Sequence, residues 1–260
     1  MTNSDRGGAV RAVDIISMVI IFFVGLIVSV MGTLIGGSSV FTIPTLLLLG
    51  VPPHTAIGTD RFGIMGITIS GWYQFHRKGL VDYKTGIILA IPLLFGSFAG
   101  ANLVFQVSEA VLKLIIIVIS LLSLLFLLTD PTRGIENKKR AIGKREYLIG
   151  GIMALVVGVY VGFYGAMGGT LVLYILIFWF GQTFLESAGT LKIGAFIMNC
   201  MAACVFAYRG AIDYSLALPM FTGCFIGSWF GAYYADRIGN VWIKRLFVLL
   251  LFLMVLKLIY

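Results

Sequence analysis

Charge is scarce in this chain. Asp, Glu, Lys and Arg make up 12% of its 260 residues and hydrophobic residues 60%, where a soluble globular domain has roughly 25% and 45–50%. That balance excludes a soluble fold and leaves an all-α polytopic membrane protein. The length suits about eight transmembrane helices with short loops and no sizeable soluble domain. Histidine is nearly missing: His54 and His76 fall in different turns, which excludes a His-rich metal cage. No glycine-rich loop precedes a Lys-Ser or Lys-Thr pair, and no Ser–His–acid set occurs at recognisable spacing. The expectation is therefore a protein that is not an enzyme, with no cofactor and no metal.

Cysteine is also sparse, and three of them cannot all pair. Cys200 and Cys204 lie four apart on one helix face, and Cys224 lies in the next apolar segment. Buried cysteine usually acts as a small hydrophobe. The alternative is a membrane-embedded sulfur- or metal-handling enzyme or assembly factor that uses these three thiols. No small-residue cleavage site follows the first hydrophobic run, which exceeds a signal-peptide core, so that run is expected to be retained.

Among the charges present, the net balance is +8. In a membrane protein such an excess records cytoplasmic loops rich in Lys and Arg rather than nucleic-acid binding. The central linker holds Arg133, Lys138, Lys139, Arg140, Lys144 and Arg145, which places it in the cytoplasm of a protein of the cell membrane. Counting outward puts Arg77, Lys78, Lys84, Arg209, Arg6 and Arg11 on the same side, leaving Arg237 and Lys244-Arg245 outside. One crossing per broken helix gives two parallel four-helix repeats. If each broken segment is instead a hairpin that fails to cross, the repeats are inverted; the charges favour the parallel arrangement.

The apolar runs are organised around two stretches, GTLIGGSSVFTIP at 32–44 and GFYGAMGGTLVLY at 162–174. Each interrupts a run of about 35 residues, roughly 50 Å as a helix, against a hydrocarbon core about 30 Å thick. Glycine is costly inside a helix, and freed backbone at membrane depth is tolerated only where protein or a wet cavity satisfies it. The expectation is a first helix broken at a Gly-rich kink in each half, as transporters use to hold a charged solute. Segments are expected over about 13–49, to 75, 83–104, 110–128, 147–180, 186–208, 214–235 and 241–260.

The second half repeats the first. A shift of 131 residues aligns 37–113 with 168–244 without a gap. Gly58-Thr59 then meets Gly189-Thr190, Phe75 meets Phe206, Asp82-Tyr83 meets Asp213-Tyr214, and GSFAGA at 96–101 meets GSWFGA at 227–232. The organisation is a first transmembrane repeat over 1–129, a basic cytoplasmic linker over 130–145 and a second repeat over 146–260.

Polar groups inside the apolar runs are the candidates for chemistry, because ionisable groups there are expensive. If Ser38 and Ser39 begin a returning half-helix after Gly36 and Gly37, their hydroxyls and free N–H groups converge at the positive end of a helix dipole. Gly168, Gly169 and Thr170 occupy the equivalent place, and two such ends would make an anion site near the midplane. The alternative is that these glycines only permit close helix packing, which is the reading for Gly96, Gly100, Gly227 and Gly231. Arg61 and Lys192 share a register, two residues after Thr59 and Thr190. Paired cations, each preceded by a hydroxyl, attract an anion and donate to its oxygens; the alternatives are snorkelling to the headgroups and neutralisation of Arg61 by Asp60. Asp60, His54 and Glu186 are candidates for coupling to a proton or sodium ion. Asp82 and Asp213 open helices as N-caps, and Trp72, Trp179, Trp229 and Trp242 are expected as interfacial anchors.

The segments GTLIGGSSVFTIPTLLLLGVPPHTAIGTDR and GFYGAMGGTLVLYILIFWFGQTFLESAGTLK resemble the TauE/SafE family of sulfite exporters, and the likeness covers nearly the whole chain. The family's glycine run, Pro, Leu and Ala-x-x-Thr-Asn-Lys pattern map onto Gly36, Gly37, Pro44, Leu46, Ala56, Thr59 and Arg61. In the second half they map onto Gly165, Gly168, Gly169, Ser187, Thr190 and Lys192. Here Gly-Gly-Ser-Ser replaces a longer glycine run, Asp60 stands where Asn is usual, and the second half lacks the proline. The resemblance implies a four-plus-four helix plan and secondary transport of small sulfur-containing anions, such as sulfite, sulfoacetate or related sulfonates. A carboxylate beside the cations is expected to weaken binding of a highly charged anion. The implied partners are that small anionic substrate and the lipid bilayer, without nucleic acid; a homodimer is left open, as is a passive anion channel.

Overall fold

The protein is described as a computed structural model over residues 3–128 and 143–235. Ten α-helices occur among the described residues: α1 (Asn3–Ile35), α2 (Ser39–Leu48), α3 (Pro53–Gly63), α4 (Met65–Arg77), α5 (Tyr83–Leu103), α6 (Glu109–Leu128), α7 (Lys144–Phe163), α8 (Gly168–Tyr174), α9 (Phe184–Tyr208) and α10 (Tyr214–Tyr233). A π-helical turn, Ile175–Trp179, continues α8. The described residues contain no strand. Among the described residues, five helical stretches are long and apolar enough to span a bilayer: Ile15–Ile35, Tyr83–Gln106, Lys144–Phe163, Phe184–Tyr208 and Tyr214–Tyr233. The expected eighth segment, with Trp242 and Lys244-Arg245, and most of the basic linker lie outside the described residues.

Large apolar side chains face outward along the spans. Ile15, Ile16 and Phe23 on α1, Ile87, Ile91 and Phe95 on α5, and Leu148, Ile152 and Val156 on α7 are all exposed. Such continuous apolar faces require a lipid environment.

The first apolar run breaks after Ile35. Gly36 and Gly37 adopt φ of +79° and +81°, a region closed to most L-residues but open to glycine, and α2 restarts at Ser39. The fifth run breaks at 164–167, where Gly165 has φ +78° and Met167 the strained value of +60°. The two breaks touch: a Cβ on Gly36 would lie 2.7 Å from the Thr170 backbone nitrogen, and Thr170 Oγ1 donates to the Ile35 carbonyl at 2.9 Å.

The second segment departs from expectation. It is not one rod but α3 and α4, separated at Ile64. Gly63 there packs against Met220 of α10, which a Cβ would approach at 2.7 Å.

Helix packing runs across the two halves of the chain. Gly223, Gly227 and Gly231 of α10 press against the carbonyl oxygens of Phe22, Leu26 and Val30 on α1. Gly96 and Gly100 of α5 press in the same way on Leu155 and Val159 of α7. A methyl group at any of these glycines would overlap the facing oxygen, so backbone meets backbone, as small residues allow in membranes.

Side-chain contacts are exchanged at the 131-residue interval. Ser97 Oγ donates to the Met198 carbonyl at 2.6 Å, and Ser228 Oγ to the Ile67 carbonyl at 2.9 Å. Gly58 packs on Ala211 and Phe206, and Gly189 on Leu80 and Phe75. Asp82 and Asp213 cap α5 and α10, their carboxylates accepting from the backbone N–H of Thr85 and Ser215, as their positions after Gly79 and Gly210 suggest.

Candidate functional site

Arg61 sits on the last turn of α3 and is 1% exposed. Its Nη2 donates to Asp60 Oδ2 at 2.7 Å, to Ser39 Oγ at 3.0 Å and to the Tyr164 carbonyl at 3.0 Å. Nη1 donates to Asn199 Oδ1 on α9 at 3.0 Å. Asp60 is fully buried and also accepts from Ser39 Oγ at 2.7 Å and from Thr42 Oγ1. A buried carboxylate needs such compensation, since an unpaired ion in this setting costs several kcal/mol. The α2 hydroxyls therefore serve Asp60, and the guanidinium ties the first break to the second. Gly165 makes room for it: a Cβ there would lie 2.5 Å from Nη1.

Lys192, at the matching place in α9, is 2% exposed. It has no acidic neighbour in sequence, and among the described residues its ammonium makes no hydrogen bond or ion pair. Its stem passes Gly71, where a Cβ would lie 3.0 Å from Lys192 Cε, 2.7 Å from Thr33 Oγ1 and 3.1 Å from Ser228 Oγ. The absence of side chain at Gly71 gives the lysine its channel.

Both cations line one cavity. Its wall includes Gly36, Gly37, Ser38 and Ser39 from the first break, Gly165 and Gly169 from the second, and Asn199. The volume is about 50 Å³, several times the roughly 10–15 Å³ that one water needs on this measure. Arg61 Nε is buried and without a partner among the described residues. Arg61, Lys192 and Ser38 thus bring two cationic side chains and a hydroxyl residue to the wall of a small, largely apolar cavity.

Other expected site residues lie elsewhere. Thr59 and Thr190 do not line the cavity; their hydroxyls accept the backbone N–H groups of Asp213 and Asp82, each at 2.9 Å. Thr170 is spent on the Ile35 carbonyl, and Gly168 packs on Val161. His54 stacks on Phe105 with Nδ1 3.8 Å from Glu109, and Glu186 closes a capping box with Thr183 at the start of α9; neither borders the cavity. No group of three His, Cys, Asp or Glu residues that could hold a metal occurs among the described residues. Asn199 and the Tyr164 carbonyl are additions that sequence reading missed, while Gly165, named there only through the family pattern, proves to border the cavity. A lone Asn within the apolar run of α9 was the available signal.

Comparison with known proteins extends this picture. A 244-residue stretch is 28% identical to a protein of Haemophilus influenzae named probable membrane transporter protein, covering 94% of each chain. The probable membrane transporter protein YfcA of Escherichia coli K12 is 25% identical over 93% of this chain and 89% of its own. YdhB of Bacillus subtilis, named in the same way, is 24% identical over 87% and 92%. No solved structure matches the chain significantly. The model of the sulfite exporter TauE/SafE family matches residues 21–258. On that match, which covers nearly the whole chain, the protein belongs to the TauE/SafE sulfite exporter family.

Proposed function

We propose that this protein is a secondary transporter that carries a small sulfur-containing anion, sulfite or a sulfonate, across the cell membrane by alternating access. The observation that carries the reading is the convergence of Arg61 and Lys192 on one cavity between two broken helices. Membership of the TauE/SafE family and the names of the relatives support transport as the activity. The contacts exchanged at 131 residues support two homologous four-helix repeats, 1–129 and 146–260, joined by the basic cytoplasmic segment 130–145. In this reading the cavity is the midplane site of a repeat protein. A gradient of protons, of sodium or of the solute itself drives the cycle, since the sequence holds no nucleotide-binding loop.

Purified protein in liposomes tests this directly. Labelled sulfite should enter protein-containing vesicles faster than protein-free ones and with saturation, whereas linear flux would indicate a passive pore. Arg61→Ala and Lys192→Ala should each abolish the flux. Robust transport by both variants would remove the two cations as ligands and with them this reading.

A further inference from the structure

The two cations of the cavity are not equivalent. Arg61 is bound to Asp60 at 2.7 Å, and that carboxylate is fully buried with the guanidinium as its ion partner. Lys192 has no carboxylate within ion-pair distance among the described residues. Among the described residues, Arg61 and Lys192 are also the only charged ones in the cavity wall. The other acidic groups nearby in sequence, Asp82, Glu186 and Asp213, are engaged at helix caps. Counting Asp60, Arg61 and Lys192 together, the buried cluster holds one uncompensated positive charge.

We propose that the site accepts a single negative charge, and that its cargo is a compact oxyanion in its monovalent form rather than a dianion. This rests on the transport reading above and specifies its substrate class. A monoanion completes the neutrality of the cluster, whereas a dianion leaves one buried charge in excess, a state that costs several kcal/mol in a protein interior. The cavity is small, about 50 Å³, which suits a compact anion such as hydrogen sulfite. Arg61 and Lys192 supply donors to the oxygens, and Asp60, which is not part of the cavity wall, sets the charge without touching the cargo.

The test uses ions of matched shape and fixed charge. Perchlorate and sulfate are both tetrahedral, the first monovalent and the second divalent at all working pH values. Chlorate is a pyramidal monoanion. Each is titrated as a competitor of labelled sulfite uptake into proteoliposomes at constant ionic strength. Perchlorate and chlorate should compete at concentrations about tenfold or more below sulfate. In Asp60→Asn, which raises the cluster to two uncompensated charges, sulfate should gain by a similar factor relative to perchlorate. Equal or better competition by sulfate in the wild-type protein overturns the inference, and that comparison stands even if Asp60→Asn fails to fold. An unchanged preference in folded Asp60→Asn also overturns it. If sulfite is moved but sulfate competes best, the charge inference alone falls; if no anion is moved or competes, the transport reading falls with it.

Discussion

Thr59 and Asp213 are joined by a hydrogen bond in which the Thr59 hydroxyl accepts the Asp213 backbone N–H at 2.9 Å. The same bond recurs from Asp82 to Thr190, again at 2.9 Å. Each links the start of a long helix in one half of the chain to a buried hydroxyl in the other half. Thr59→Val and Thr190→Val each orphan a partly buried N–H and should cost about 1–3 kcal/mol. Thermal unfolding in detergent measures it, and the double variant should show the sum of the two losses, because the sites share no partner. A double variant no worse than either single one would mean that the bonds are not separate ties.

Arg61 and Lys192 should differ in what their removal does. Arg61→Met leaves Asp60 buried with hydroxyl donors only, and such an uncompensated charge costs about 3–5 kcal/mol. Asp60→Asn added to it should recover much of that loss. Lys192→Met removes an ammonium without a partner and should leave the melting temperature unchanged or raised while sulfite flux disappears. Equal destabilisation by both methionines would contradict the asymmetry of the pair.

The first break can be probed with two glycines of like backbone. Gly36 and Gly50 have φ of +79° and +84°, so alanine at either incurs the left-handed cost of roughly 1–2 kcal/mol. Gly50 has nothing within 4 Å, whereas a Cβ at Gly36 would lie 2.7 Å from the Thr170 nitrogen. Gly36→Ala should therefore destabilise more than Gly50→Ala and should also lose transport. Identical melting shifts would mean that the breaks do not bear on one another.

The cysteines provide a separate check. Cys224 is buried, Cys200 half-buried and Cys204 exposed, and none borders the cavity. A variant with Ala at all three should keep its initial rate of sulfite uptake. Loss of uptake in a folded triple variant would return attention to thiol chemistry.

Much of the site was readable because membranes make polar residues and glycines conspicuous. The break at Gly36 followed from a run too long for one crossing, and the shared register of Arg61 and Lys192 from a repeat without gaps. Asp82 and Asp213 announced themselves as caps by following a turn. Three-dimensional neighbours were harder to see. Nothing in the spacing of Ser39 and Thr42 says that their hydroxyls turn to Asp60, 21 and 18 residues away, and Thr59 and Thr190 suggested ligands where they serve as acceptors for distant backbone. The close packing of Gly63 on Met220 lies beyond the reach of any local pattern.

The backbone seams bear on how such a protein can move. Glycines of α10 abut carbonyls of α1, and glycines of α5 abut carbonyls of α7, so these contacts have no side chains to repack and little freedom to slide. In an alternating-access cycle each pair should therefore travel as one plate. Any rearrangement that opens the cavity must then shear plate against plate, and every plate is stitched from chain on both sides of the central linker. Severing that linker should leave two fragments of which neither contains a complete moving part.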